Sequence, residues 1–198
     1  MLTVGTIALE VERKLTGGRL ACPLCQGRLA PWSHGRPRIV FGEGALRWRL
    51  TPRRARCAGC GVTHVLLPVN MLVRRRDEIG VIGAALHLAG EGVSCRVIAE
   101  SLGRPVGLVR GWVRRLAGRA EQVRAVFTML QVALDPDPPP IEPASSPMAD
   151  AVHAIAAAAV AAGARFVFTV SPWELAAAVT SGSLLAPVMI TATINTNH

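Results

Sequence analysis

Two cysteine pairs of the same form constrain this chain more than any other feature: "CPLC", with Cys22 and Cys25, and "CAGC", with Cys57 and Cys60, separated by 31 residues. Four thiolates in two close pairs suit one tetrahedral ion. Zinc prefers Cys sulfur and in structural sites takes four protein ligands with no open position, so a structural Zn2+ on these four residues is the expected cofactor. Gly27 after the first pair and Ala58, Gly59 and Gly61 around the second leave room for sulfurs and backbone N–H groups to face one centre. Competing readings are a redox dithiol, which two pairs without a βαβ context argue against, and four unpaired structural cysteines. His34 and His64 could replace a ligand, but the cysteines already complete the sphere, which leaves both as surface or strand residues. Cys95 stands apart and reads as a small core residue. A closed four-sulfur site offers no place to a water, so the metal holds the fold and hydrolyses nothing.

Between and after the pairs run short stretches of β alternation, with Leu46, Trp48 and Leu50 on one face and "VTHVLLP" beyond Cys60. Knuckles bridged by a few antiparallel strands make a zinc ribbon, assigned to residues 1–70. The N-terminus has no basic start and its apolar run is broken by Glu10 and Glu12, so no signal peptide is expected. The expected location is the cytoplasm, in association with the nucleoid. In a reducing compartment, close cysteine pairs indicate metal in preference to disulfides.

From Arg74 the period changes to that of a helix, with Ile79, Ile82, Ala85, Leu86 and Ala89 on one face. Ser94 can cap a second helix that stops at Gly103, and "RPVG" turns the chain into "LVRGWVRRLAG". Ala99, Gly103, Val109 and Trp112 then fall where a helix-turn-helix needs a small residue at the helix crossing, a glycine able to take positive φ, and an apolar inner face, which Ile98 and Leu102 complete. This assigns residues 71–125 to a three-helix DNA-binding unit. Its second helix would present Pro105, Val106, Gly107, Arg110, Gly111 and Arg114 toward a major groove, with Arg96, Arg104 and Arg115 over the backbone.

Charge agrees with that assignment. Residues 1–125 carry 21 Lys and Arg against 8 Asp and Glu, whereas residues 126–198 carry 1 against 5. A basic segment joined to a mildly acidic one suits a polyanionic partner for the first part, and double-stranded DNA is the partner expected. Few aromatics and no Tyr argue against RNA recognition by base stacking.

"CPLC", "RRARCAGCGVTHVLLP" and "VIAESLGRPVGLVRGWVRR" together resemble the zinc-ribbon plus helix-turn-helix head of several insertion-sequence transposases, and a group of small actinobacterial proteins borne on mobile elements that keep this head without a catalytic domain. The resemblance spans roughly residues 20–120. It implies DNA binding, at element ends or in regulation, with Cys22, Cys25, Cys57 and Cys60 as zinc ligands. Transposases of this kind add a large RNase H-like domain with three acidic metal ligands. The 73 residues after position 125 are too few for it, and no GxxxxGK[ST] loop is present, so no enzymatic activity is expected of this chain.

"DPDPPPIEPASSP" holds six prolines and cannot continue a helix, which assigns residues 126–147 to a linker. Residues 148–198 form a helical tail, with Ser171, Pro172 and Glu174 marking a helix start. Its apolar run, Ala151 to Ala164, is 14 residues, short of the roughly 20 needed to span a bilayer, so no membrane partner is expected. The tail would pack back on the helical unit, pair with a second copy, or dock on a transposase, with Trp173 and Leu184–Leu185 as anchors. No small-molecule substrate is indicated. The resulting fold class is mostly α with a small β zinc ribbon, followed by the three-helix unit and the tail.

Overall fold

The computed structural model describes residues 1–138, 142–167, 169 and 171–187. Its elements run in chain order: β1 (Leu2–Val4), α1 (Ala8–Thr16), β2 (Leu29–His34), β3 (Arg38–Phe41), β4 (Arg47–Leu50), β5 (Arg53–Cys57) and β6 (Thr63–Pro68), then α2 (Ile79–Gly90), α3 (Cys95–Ser101), α4 (Val106–Ala117), α5 (Ala120–Leu134), α6 (Pro147–Phe166) and α7 (Pro172–Val179). The fold is mixed α/β: all described strands lie within residues 2–68 and seven described helices accompany them. The sequence reading placed no helix before the first cysteine pair. Here α1 stands there, and its buried Val11 and Leu15 cover the sheet.

β1, β6, β5 and β2 form one sheet in that order, with β1 parallel to β6 and the other pairs antiparallel. β3 and β4 make a separate hairpin pairing Arg38 with Leu50 and Phe41 with Arg47. Leu50 is buried and Trp48 half-buried, whereas Leu46 lies before β4 and is exposed, so the expected apolar face holds for two of its three residues. The hairpin is fastened to the connector between β6 and α2. Phe41 N donates to Arg76 O at 2.7 Å, Glu78 N donates to Phe41 O at 2.9 Å, and Trp48 Nε1 donates to Glu78 Oε1 at 2.8 Å.

The helices share one apolar cluster, which includes Ile79, Ile82, Leu86, Ile98, Val109, Trp112, Leu116, Val123, Phe127, Ile155, Leu184 and Leu185. Most of the buried positions of α6 are alanines, so α5 and α6 can lie close together along their length, as a chain poor in aromatics requires. Two boundaries of the sequence reading move. α5 runs unbroken through position 126, because "AEQVRAVFTMLQVAL" keeps its apolar period to Leu134, so the start assigned to the linker is helix. α6 begins at Pro147, capped by Ser146 Oγ on Ala149 N, which makes it 20 residues long. Pro139, Pro140 and Ile141 of the proline stretch, and residues 188–198 of the tail, lie outside the described residues.

Among the described residues α6 is the one helix long and apolar enough to cross a membrane, yet 56% of its apolar window is buried within the fold, as in a core helix. The tail packs back on the helical core. Leu184 and Leu185 are buried at 0% and 2% exposure, so neither is available as an anchor for a partner. Trp173 lies flat against Gly83 of α2, where an added Cβ would stand 2.2–2.3 Å from Trp173 ring atoms. Gly83→Ala must therefore displace α7. An overpacked core position of this kind costs about 1–3 kcal/mol, and the measurement is a denaturant titration of the variant with Trp fluorescence as readout. An unchanged midpoint would show that the ring does not rest on Gly83.

Candidate metal centre and basic surface

The two cysteine pairs converge where β2 meets β5, because Leu29 pairs with Cys57 in the ladder. All four Sγ atoms lie within 4.8 Å of one another. Cys22 and Cys60 approach to 3.8 Å and Cys25 and Cys57 to 3.4 Å. Sulfurs at about 2.3 Å from a tetrahedral zinc stand about 3.8 Å apart, so the donor set and its spacing fit the ion. Cys22, Cys25, Cys57 and Cys60 are thus placed to hold a metal ion, in a manner compatible with structural zinc.

The two turns are built alike. Gln26 N donates to Cys22 O at 2.9 Å and Gly61 N to Cys57 O at 3.1 Å; Cys22 N donates to Gly27 O at 2.8 Å and Cys57 N to Val62 O at 2.9 Å. The residue after each second cysteine takes a left-handed conformation, Gln26 at φ 60 and Gly61 at φ 72. At Gly27 an added Cβ would meet Cys57 Sγ at 3.1 Å and Cys25 Sγ at 3.3 Å, so the backbone there closes one side of the sulfur cluster. The αL conformation costs an L residue roughly 1–2 kcal/mol relative to glycine. Gly61→Ala is expected to destabilise the chain by that amount and Gln26→Gly to stabilise it, as read by melting of the metal-loaded protein; equal shifts of one sign would refute the equivalence of the two turns.

The electrostatics of the metal-free cluster are uneven. The Cys57 thiol is lowered to about 6, first by the Cys60 backbone N–H and then by the neighbouring Cys25 and Gly59 groups, against the opposing effect of burial. The Val62 backbone N–H favours the Cys60 thiolate, but hydrogen bonding to Cys25, burial, and the Cys57 and Cys22 sulfurs outweigh it and push Cys60 up to about 11. The sequence reading left His64 as a surface or strand residue. It is on β6 and 3% exposed, with Nε2 3.3 Å from Cys22 Sγ and Nδ1 3.4 Å from the Met1 amino nitrogen. Burial and the Met1 ammonium lower its pKa, and with Nδ1 accepting from that ammonium, Nε2–H points at the sulfur. A neutral imidazole donating to a metal-bound thiolate orients the ligand. His34 is exposed on β2.

The helical part positions the residues assigned to DNA. Ser94 Oγ accepts from Val97 N to start α3, and Gly103 turns the chain at φ 61 into α4. Val109, Trp112 and Leu116 of α4 are fully buried, and Ala99 and Ile98 of α3 face them in the same cluster. Arg96, Pro105, Val106, Gly107, Arg110, Arg114 and Arg115 are exposed. Two assigned residues are not. Gly111 is buried because the Arg115 side chain folds back over it: Arg115 Nη1 donates to Gly111 O at 2.7 Å and would stand 2.8 Å from an added Cβ. Arg104 turns inward. Its Nε donates to Asp77 Oδ1 at 2.6 Å and its Nη2 to Gly42 O at 2.6 Å, with the two side chains 10% and 6% exposed. Arg104 therefore fastens the α3–α4 turn to the hairpin and connector. Sequence reasoning missed this pair: the run Arg74, Arg75, Arg76 is followed by two carboxylates, Asp77 and Glu78, and nothing local marks Asp77 as the partner of Arg104.

No family model, curated protein or solved structure matches this chain.

Proposed function

We propose that the chain is a non-catalytic DNA-binding protein in which a zinc ribbon, the unit around the four cysteines, supports a helix-turn-helix formed by α3 and α4. The observation that carries this reading is the division of α4. Arg110 and Arg114 stand one turn apart on its exposed side, while Val109, Trp112 and Leu116 anchor the opposite side in the core. A helix held in this way can enter a major groove, with Arg110 and Arg114 at base edges or phosphates and Arg96 and Arg115 over the backbone. The excess of arginine in residues 1–125 supplies sequence-independent affinity that falls with salt.

The role is site recognition or transcriptional regulation, linked to a mobile element on the strength of the resemblance in residues 20–120, in the cytoplasm at the nucleoid. A second copy or a transposase would be met by the exposed Met129 and Val132 of α5 and Val160 of α6, since Leu184 and Leu185 are buried. An adaptor that binds protein is the second reading, favoured by Leu24 and Trp32, which are 69% and 54% exposed beside the cysteine turns.

Selection of bound sequences from a random duplex library, with zinc-loaded protein at near-physiological salt, tests the proposal. An enriched motif that Arg110→Ala relaxes at one position, at a cost of about 1–3 kcal/mol, is the expected result. Recovery without a motif would reduce the role to non-specific binding, and no recovery would favour the adaptor.

A further inference from the structure

We propose that the groove between α4 and the connector at residues 73–76 binds the phosphodiester backbone of one DNA strand. The inference rests on the DNA-binding reading above and adds a second contact surface to it. Two hollows of about 650 and 590 Å³ flank the connector and share Arg74 and Arg75 in their walls, so they meet along it. The first is bounded by Arg47 from the hairpin, Arg76 and Arg104, with Leu108 and Trp112 of α4. The second is bounded by Arg114, Arg115 and Arg119 and closed by the 183–187 segment.

Cations outnumber carboxylates here, and Arg75, Arg115 and Arg119 are held in place by main-chain carbonyls. Among the described lining residues the only carboxylate is Asp77, and Arg104 already occupies it. The guanidinium carbons of Arg47, Arg76 and Arg104 all lie 5.6–5.8 Å from the centre of the Phe41 ring, which draws three cations to one place. Two buried donors bordering the groove, Arg75 Nε and Trp112 Nε1, have no acceptor. Arg75 is lowered from the usual guanidinium range, first by burial and then by Arg115. An unpaired donor and a desolvated like-charge pair both cost stability, and an anion seated between them relieves both costs.

The dimensions suit a strand. From Leu108 to Arg115 α4 rises about 10 Å, long enough for more than one phosphate of a strand to lie alongside, and the Arg47 end extends the track beyond it. Because the hairpin contributes Arg47 and α4 contributes Arg114 and Arg115, a backbone in this groove touches both the strand-bearing and the helical part of the chain. That gives the cysteine-bearing half a role in DNA affinity: it holds part of the phosphate track in place.

The test uses the full zinc-loaded chain, a duplex oligonucleotide, and salt from 50 to 200 mM, about the range over which counterion release is read. The groove variant carries Arg47→Gln, Arg74→Gln and Arg76→Gln, all exposed residues outside the α4 face assigned to the bases. Arg74→Gln alone serves as a second variant that spares the Phe41 cluster. Loss of three arginine–phosphate contacts corresponds to about 2.7 in the slope of log K against log salt. The expected result is a slope smaller by roughly two to three for the triple variant and by about one for Arg74→Gln, with affinity at 150 mM salt down by about tenfold or more for the triple. Wild-type binding with unchanged slope and affinity in both variants overturns the groove and leaves the DNA reading standing. No wild-type binding to duplex at 50 mM salt overturns the DNA reading. In that case pyrophosphate, tested by thermal shift, distinguishes a site for free phosphate, which stabilises the wild type but not the variant, from no anion site; either outcome overturns the backbone assignment.

Discussion

Cys57→Ser is expected to bind no zinc where the wild-type chain takes up one ion, and to lose amide protection across residues 22–66, while most of the helical ellipticity survives. Cys57 ends β5, is 2% exposed and faces Cys25 at 3.4 Å, so the substitution takes one of the four sulfurs from the end of a central strand. The apolar cluster beneath the site contains only seven buried residues, two of them cysteines. Such a core cannot offset chain entropy alone, since small units below about 70 residues need a staple. Structural zinc contributes roughly 10–16 kcal/mol of apparent binding free energy in small domains, comparable with or larger than the whole stability of about 5–15 kcal/mol of an ordinary protein. The helices have their own, larger cluster, which is why their signal persists. Metal affinity should also rise with pH. Cys60, pushed up to about 11, carries its proton at neutral pH in the metal-free chain and must release it on binding, whereas Cys57, at about 6, is already largely thiolate. Metal analysis and hydrogen exchange check the first claim and a zinc titration across pH the second. A Cys57→Ser chain with wild-type protection in residues 22–66 would show that the sulfur cluster is not a structural metal site.

The second large effect lies at Arg104. Arg104→Ala is expected to cost about 3–5 kcal/mol, because it leaves Asp77 as an uncompensated charge in the interior and Gly42 O without its donor. Arg110→Ala, at an exposed arginine six residues on, should stay within about 0.5 kcal/mol. Chemical denaturation of both variants, with Asp77→Asn to complete a double-mutant cycle, measures the pair directly. The two substitutions should separate cleanly in DNA binding as well, with Arg110→Ala altering specificity at wild-type stability. If Arg104→Ala proved as stable as the wild type and lost DNA affinity, the side chain would face the ligand and its inward placement would be wrong.

These two residues also mark the limit of what could be read from the chain. Cys57 was legible because its meaning is local: its partner lies three residues away and the pair recurs. Arg104 was not. Its neighbours in sequence suggested a backbone contact, and nothing in "GRPVG" shows that a hairpin 60 residues earlier will turn a carbonyl toward it. An arginine in a basic stretch has the same sequence signature whether it reaches outward to phosphate or inward to a carboxylate, because the decision depends on where Asp77 and Gly42 come to rest.

The sequence by itself determined the features whose physics acts over a few residues. These are the paired cysteines, the Ser94 and Ser171 caps, the positive φ of Gly103, and the apolar stripes that bury Ile98, Val109 and Trp112. The tertiary structure alone decided the rest: Trp173 on Gly83, Leu184 and Leu185 inside the core, His64 against Cys22, Arg104 on Asp77, and the arginines of the connector lined up with α4. Each of these joins residues 27 or more positions apart. Local propensity carries no information about such meetings, because they are set by packing and by the burial of charge, which exist only once the chain has closed on itself.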